Sequence, residues 1–110
     1  MTSAASIQVG GIYSVNDGQG HYGVAKLLVH EGGVCHVRLY KQTFPTRPAT
    51  LDITKLSLGR AGEPEFGIGH LPIREGEFLH WQPVLITTSP VTPEELDTYN
   101  DWKEARGSVL

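Results

Sequence analysis

The chain is short of cysteine and of long apolar runs, and each shortage excludes a class of protein. Cys35 is the only cysteine among 110 residues, which excludes an intrachain disulfide framework and indicates a reducing compartment. The longest apolar runs, such as Val84-Leu85-Ile86, are far too short to span a bilayer, and residues 1–6 lack the basic start and apolar stretch of a secretory signal. We therefore expect a soluble, cytoplasmic protein with no membrane contact.

An excess of positive charge is also missing. Nine Lys and Arg residues against twelve Asp and Glu residues leave a net charge of -3, so nucleic acid is disfavoured as a partner. A chain of 110 residues forms one domain that can bury a core without disulfides. We expect a disordered tail over residues 1–8 and a single β-rich domain over residues 9–110.

Two strand-and-turn units follow one another between Gly11 and Tyr40. Segments rich in Val, Leu, Ile and Tyr alternate with the turn residues Asn16-Asp17-Gly18 and Glu31-Gly32-Gly33, which predicts a meander of antiparallel strands. A three-residue loop at Glu31-Gly32-Gly33 makes one side of the second hairpin wholly apolar. That register pairs Ala25 with Leu39, Leu27 with Val37 and Val29 with Cys35.

The remaining segments predict the rest of a mainly β fold with one helix. We expect a small twisted antiparallel sheet, or a partly open barrel, of about five strands. The expected elements are a connection at 41–50 containing Pro45 and Pro48, a strand at 51–58, a loop at 59–69, one or two helical turns within 72–81, and a short edge strand at 84–87.

The C-terminal helix has the clearest local signals. Thr92 is placed as the N-cap, Pro93 at the first helical position, and Glu95 as the partner in a capping box, so the helix is predicted over residues 93–106 and ends at Gly107. An apolar stripe at helical spacing is expected to dock on the core that contains Leu27, Val37 and Leu39. Its members are Leu96, Tyr99, Trp102 and Ala105.

The other side of the second hairpin is aromatic and basic. In the predicted register it carries Tyr22, Lys26, His36, Arg38 and Tyr40, and we expect it to be exposed to solvent. Lys26 lies directly opposite Arg38, so the two like charges require an acidic group nearby. Because Arg and Tyr are enriched in binding hot spots, this face is the candidate contact for a protein or peptide partner that is acidic at the contact.

Catalytic and metal chemistry find little support in the spacing of His and Cys. Cys35 and His36 are neighbours on one strand and point to opposite faces, so they cannot act as nucleophile and base together. No His pair has helical i, i+4 spacing and no Cys-x-x-Cys motif is present, so we expect neither a metal nor a cofactor. The segment Gly67-Ile68-Gly69-His70 is either a structural turn or a backbone nest for an anion with His70 as donor.

Two resemblances accompany these observations. The opening strands resemble those of Tudor-like small barrels. The whole chain, with its 66–72 stretch and its acidic final helix, is similar to uncharacterised bacterial proteins of this length, and this second resemblance implies no activity. Tudor-like readers hold methylated cationic side chains in aromatic cages. Lys26 and Arg38 would repel such a ligand, so that activity does not carry over. The residues behind the first resemblance are Gly11, Tyr13, Val15, Asp17-Gly18, Tyr22, Val24, Lys26, Gly33 and His36-Val37-Arg38-Leu39-Tyr40.

The function expected from the sequence is a non-catalytic interaction module that binds a partner through the basic aromatic face. One alternative is an immunity-type inhibitor that neutralises a toxin. A second alternative is a small enzyme that uses His70 near His80 or His36.

Overall fold

The computed structural model describes residues 7–59, 67–107 and 109. Its strands are β1 (Gly11–Asn16), β2 (Tyr22–Glu31), β3 (Val34–Phe44), β4 (Ile68–Arg74) and β5 (Val84–Thr88), its helices are α1 (Glu75–His80) and α2 (Asp97–Glu104), and short 3-10 helices lie at Ile53–Lys55 and Glu94–Leu96. The five strands form one antiparallel sheet in the order β4-β3-β2-β1-β5. The sheet is open, with β4 and β5 at its edges, which confirms the predicted fold class.

The predicted register of the central hairpin is confirmed in its middle and wrong at its tip. Ala25 lies opposite Leu39, Lys26 opposite Arg38 and Leu27 opposite Val37. A bulge between Leu27 and Val29 then shifts the pairing by one residue, so Val29 faces His36 instead of Cys35.

The bulge allows a shorter turn than the sequence pattern favoured. Glu31 pairs with Val34, which leaves Gly32 and Gly33 as a two-residue loop. Their φ angles are 59° and 76°, and two consecutive positive φ values belong to the tight turn that glycine adopts without steric cost.

One face of the sheet carries an apolar core. Phe78 of α1 packs on this face, and its ring meets that of Tyr13 edge to face with centroids 5.5 Å apart. Cys35 is fully buried there, and burial raises the pKa of its thiol to about 11. The core cluster consists of Tyr13, Val15, Ala25, Leu27, Cys35, Val37, Ile73 and Phe78.

Three predicted segments differ from the structure. Residues 41–44 continue β3 instead of forming a connection, and the expected strand at 51–58 contains the 3-10 helix Ile53–Lys55, whose first turn is capped by the Asp52 carboxylate 3.1 Å from the Thr54 nitrogen. The expected loop at 59–69 overlaps β4, and its residues 60–66 lie outside the described residues.

The strand β4 was not predicted, because residues 59–69 were interpreted as a loop and Pro72 as the start of one or two helical turns. A proline cannot donate to a neighbouring strand, but an edge strand has only one neighbour and tolerates it. Pro72 lies opposite His36 on β3, and α1 starts after Arg74 instead of at Pro72. The edge strand predicted at 84–87 is confirmed as β5.

The start of the C-terminal helix matches its predicted capping box. The Thr92 N–H donates to Glu95 Oε1 at 2.9 Å, and the Glu95 N–H donates to Thr92 Oγ1 at 3.2 Å. The chain forms one 3-10 turn and then α2, which ends at Glu104 instead of residue 106. Arg106, not Gly107, takes the left-handed conformation, with φ 52°, and the Gly107 N–H closes the end on the Trp102 carbonyl at 2.9 Å.

The helix lies on the opposite face of the sheet from the one predicted. Tyr99 and Trp102 contact His36, which alternation places on the other side of β3 from Val37. Neither Leu96 nor Trp102 belongs to the core cluster. The helical pattern predicted an apolar stripe. Both faces of the sheet carry residues that are buried by packing, so the stripe alone does not indicate on which face the helix packs.

The first described residues contact the core. Residues 1–6 of the predicted tail lie outside the described residues, whereas Ile7 packs against the core cluster and the Gln8 N–H donates to Tyr13 Oη at 2.9 Å.

Within the described ranges, none of the helices combines the length and the apolar character that crossing a membrane requires.

Candidate functional site

The centre of the predicted binding face lies beneath the C-terminal segment instead of in solvent, with Lys26 against Glu95 and His36 against Tyr99 and Trp102 of α2. We define the helix-covered face as Lys26, His36, Arg38 and Tyr40 of β2 and β3 with His70 of β4. Lys26 is 3% exposed and His36 is 1% exposed, so the expectation of a solvent-exposed face is wrong for its two central residues. Arg38, Tyr40 and His70 are half-buried.

The buried ammonium of Lys26 is fully paired. Its Nζ atom lies 2.9 Å and 3.2 Å from the two carboxylate oxygens of Glu95 and donates to the Pro90 carbonyl at 2.9 Å. These three contacts match the three donors of an ammonium group. The acidic group required beside Lys26 and Arg38 is therefore present, and the chain's own C-terminal segment supplies it.

Glu95 serves both the helix start and the ion pair. Burial disfavours its ionised form, but the Thr92 N–H and the Lys26 ammonium outweigh that effect and lower the pKa of the carboxyl. The pKa of Tyr40 is raised, first by burial and then by the charge of Glu95, while Arg38 acts in the opposite direction. Glu95 thus influences the phenol of Tyr40 as well as Lys26.

His36 and His70 form a contact that the sequence did not predict as the main site. His36 Nδ1 lies 2.8 Å from His70 Nε2, and the two rings are within 7° of parallel. One N–H lies between these nitrogens, so one imidazole donates and the other accepts. Tyr99 and Trp102 meet the His36 ring edge to face, with centroids 4.7 Å and 4.6 Å away.

The surroundings keep both imidazoles neutral at pH 7. Burial, followed by the neighbouring His70, lowers the pKa of His36 to about 4, and the opposing effect of Glu31 is smaller. Burial also lowers the pKa of His70. The Tyr99 hydroxyl donates to Glu31, and this hydrogen bond lowers the pKa of the Glu31 carboxyl and raises that of the phenol.

Tyr22 and the 67–70 segment do not form the sites expected of them. The Tyr22 ring lies under the Arg47 guanidinium, 4.6 Å from its centroid, and Arg47 also donates to the carbonyls of Ser14 and Gln82 at 3.1 Å and 2.8 Å. Residues 68–70 are part of β4, so this segment forms neither the structural turn nor the alternative anion-binding loop that the sequence left open. The strand instead places His70 against His36.

Glu31, Tyr99 and Trp102 are the members of the site that sequence reasoning missed. Glu31 was assigned to a turn, and the two aromatic residues to a core-facing stripe. The alternation of β3 could have indicated them, because it places His36 on the opposite face of the sheet from the core. If that face is buried, another element of the chain has to pack on it.

Among the described residues, the site brings two imidazoles together but neither a thiol nor a metal-ligating cluster. Cys35 lies on the opposite face from His36, as the alternation of β3 predicted. In the part of the chain that the structure describes, no three His, Cys, Asp or Glu side chains are grouped to hold a metal. The pair His36 and His70 is nevertheless the pairing that the enzyme alternative required.

No family model, curated protein or solved structure matches the chain. The Tudor-like resemblance therefore stays a prediction, and the site is interpreted from its own geometry.

Proposed function

We propose that the protein is a non-catalytic interaction module whose helix-covered face binds an acidic amphipathic helix of a partner protein. The partner helix takes the place that α2 occupies. The observation that carries this proposal is the ion pair between the buried Lys26 and Glu95, through which an acidic helix already lies on this face.

The polar character of the interface supports exchange of one helix for another. Lys26 and His36 are buried polar side chains that contact the C-terminal segment, beside the buried apolar Ile12, Val24 and Leu28 on the same side of the sheet. The core cluster on the other side is apolar. Because desolvation of a buried ion pair offsets much of its attraction, such an interface selects its partner more than it adds stability.

The position of α2 also suits exchange. It has eight residues, of which Tyr99 is the buried one. A short element that buries little of its own surface has a low free energy of local opening.

The contacts of the 3-10 turn and of α2 describe the partner. Glu95 supplies a carboxylate to Lys26, Tyr99 bonds Glu31, and Trp102 packs on His36. A partner helix therefore needs an acidic residue followed by aromatic residues four and seven positions later, which lie on one helical face. A toxin carrying such a helix would make the module an immunity-type inhibitor.

A labelled peptide spanning residues 91–107 tests the proposal with the full-length protein as receptor. In the wild-type protein α2 competes for the site, whereas the Glu95→Lys variant places a cation against Lys26 and opens it. We expect the peptide to bind the variant about tenfold more tightly than wild type, because the competent fraction rises. Fluorescence anisotropy gives both dissociation constants.

Matched controls decide whether the binding is specific. Glu94→Lys changes the exposed neighbouring carboxylate and should leave the affinity at the wild-type value. A peptide carrying Glu95→Lys should not bind, and Lys26→Glu in the receptor should abolish binding. If the wild-type peptide fails to bind the opened chain, or binds equally after Lys26→Glu, the proposed function is wrong.

A further inference from the structure

The two histidines lie where α2 meets the sheet, and their geometry limits how many protons they hold. Only one hydrogen fits between His36 Nδ1 and His70 Nε2 at 2.8 Å. If both nitrogens carried a hydrogen, two donors would face each other and the contact would be lost. A neutral pair is therefore compatible with the docked helix, and a doubly protonated pair is not.

A cation formed at His36 would have little compensation. The ring is 1% exposed and packs against the rings of Tyr99 and Trp102. Glu31 is the carboxylate that acts on His36, and it already accepts the Tyr99 hydroxyl. Tyr99 faces both imidazoles and Lys103 lies over the Tyr99 ring, while Lys26, Arg38 and Glu95 contact one another or Tyr40 on the same side of the sheet.

We propose that protonation of the His36–His70 pair in mildly acidic solution releases α2 and opens the helix-covered face to a partner helix. The role of the opened face rests on the proposed function, whereas release of α2 does not. The pair is thus a pH-dependent latch on the same site.

The direction of the pH effect follows from how strongly His36 binds a proton in the docked and in the released state. With α2 docked, the pKa of His36 is about 4, whereas release returns the ring to water and to its ordinary value of 6.5. The docked state is fully favoured above pH 6.5 and loses its advantage as the pH falls toward 4. At pH 5 this displaces the equilibrium toward release about twentyfold relative to neutral pH, from His36 alone.

Carboxylates act in a separate and lower pH range. The pKa values of Glu31 and Glu95 are lowered from 4.5, so these carboxylates favour the docked state above pH 4.5 and lose that effect only as the pH falls below it. Release between pH 6.5 and 4.5 therefore reports the histidines and not loss of the ion pair.

Trp102 can report its own release. The chain has two tryptophans, so Trp81→Phe leaves Trp102 as the single emitter in an otherwise full-length protein. We expect its emission to shift to longer wavelength between pH 6.5 and 4.5 while the amides of β1, β2 and β3 stay protected from hydrogen exchange. In the same background, the double variant His36→Gln, His70→Gln should lower the midpoint by at least about one pH unit, because it removes both titrating rings. Far-UV circular dichroism at pH 7.5 checks that each variant is folded.

Other outcomes distinguish the latch from the binding function. His30→Gln changes an exposed histidine on β2 and should leave the midpoint unchanged. The latch is refuted if Trp102 emission stays constant until the sheet unfolds, or if the folded double variant His36→Gln, His70→Gln keeps the wild-type midpoint. Peptide binding to the Glu95→Lys variant at pH 7.5 needs no acid, so its failure refutes the proposed function while acid release of Trp102 would still establish the latch.

Discussion

At the scale of single residues, Lys26 is the residue on which the site most depends. Its side chain is 4% exposed and that of Glu95 is 14% exposed, so the pair exchanges contacts with water for contacts with each other. An unpaired charge at this depth is strongly destabilising, whereas the intact pair is close to neutral relative to an apolar substitute. The cost of a change here therefore depends on whether both partners change.

We expect Lys26→Met to lower the free energy of unfolding by about 2 to 4 kcal/mol, because it leaves the Glu95 carboxylate without its cation. Adding Glu95→Gln should recover part of this loss, since glutamine can still accept from the Thr92 N–H without carrying a charge. Urea unfolding at pH 7 measures the double-mutant cycle, with exposed Lys55→Met as the control. Strict additivity of the two changes would contradict the pairing.

Gly67 tests the strand that the sequence did not reveal. A Cβ atom at this position would lie 2.0 Å from the Leu39 carbonyl oxygen, whereas one at Gly69 would find its nearest neighbour 3.6 Å away in the Leu58 side chain. We expect Gly67→Ala to cost about 1 to 3 kcal/mol through overpacking and Gly69→Ala to cost clearly less. Equal denaturation midpoints for the two variants would show that β4 does not approach β3 at this point.

At the scale of elements, the capping box determines where the C-terminal helix begins. Thr92 and Glu95 each satisfy the backbone N–H of the other. The same Glu95 also binds Lys26, so helix formation and docking share one carboxylate. Loss of the cap is therefore expected to weaken the docked helix as well as its first turn.

We expect Thr92→Ala to destabilise the protein by about 1 kcal/mol, the typical cost of removing an N-cap side chain. Thr98→Ala is the matched control, because Thr98 is exposed within α2 and alanine has the higher helix propensity. Thermal unfolding should show a lower midpoint for the first variant and an equal or higher one for the second. The reverse order would mean that the cap is not formed.

At the scale of the whole molecule, the open sheet is covered on its two faces by different chemistry. α1 covers an apolar core through Phe78, whereas α2 covers a face that contains a buried lysine and two histidines. Phe78 is fully buried and Trp102 is only half-buried. The fold therefore depends more on the first face, and the second can change state while the sheet persists.

We expect Phe78→Ala to lower the free energy of unfolding by about 3 to 5 kcal/mol and Trp102→Ala by roughly half as much, because only the first empties a fully buried site. Hydrogen exchange should show loss of protection throughout the sheet for the first variant. For Trp102→Ala it should show faster exchange confined to α2. Global loss of protection in the second variant would mean that the two faces are not independent.

The features that the sequence alone determined are those set by neighbours in the chain. The capping box at Thr92 and Glu95 and the apolar alternation around Leu27 and Val37 depend on spacings of two to four residues, which the structure confirms. The need for an acid beside Lys26 followed from one cross-strand pair. Such local rules act before the chain has a tertiary fold.

Only the tertiary structure decided which surfaces meet. A helix with one apolar stripe can pack on either face of a sheet, and the choice depended on α1 and the core cluster already occupying the other face. The strand β4 and the contact of His36 with His70 depend on pairing between segments 34 residues apart, which no local spacing encodes. The candidate site was therefore predicted as a list of residues, whereas its burial and its proton chemistry arise because long-range packing removes these polar groups from water.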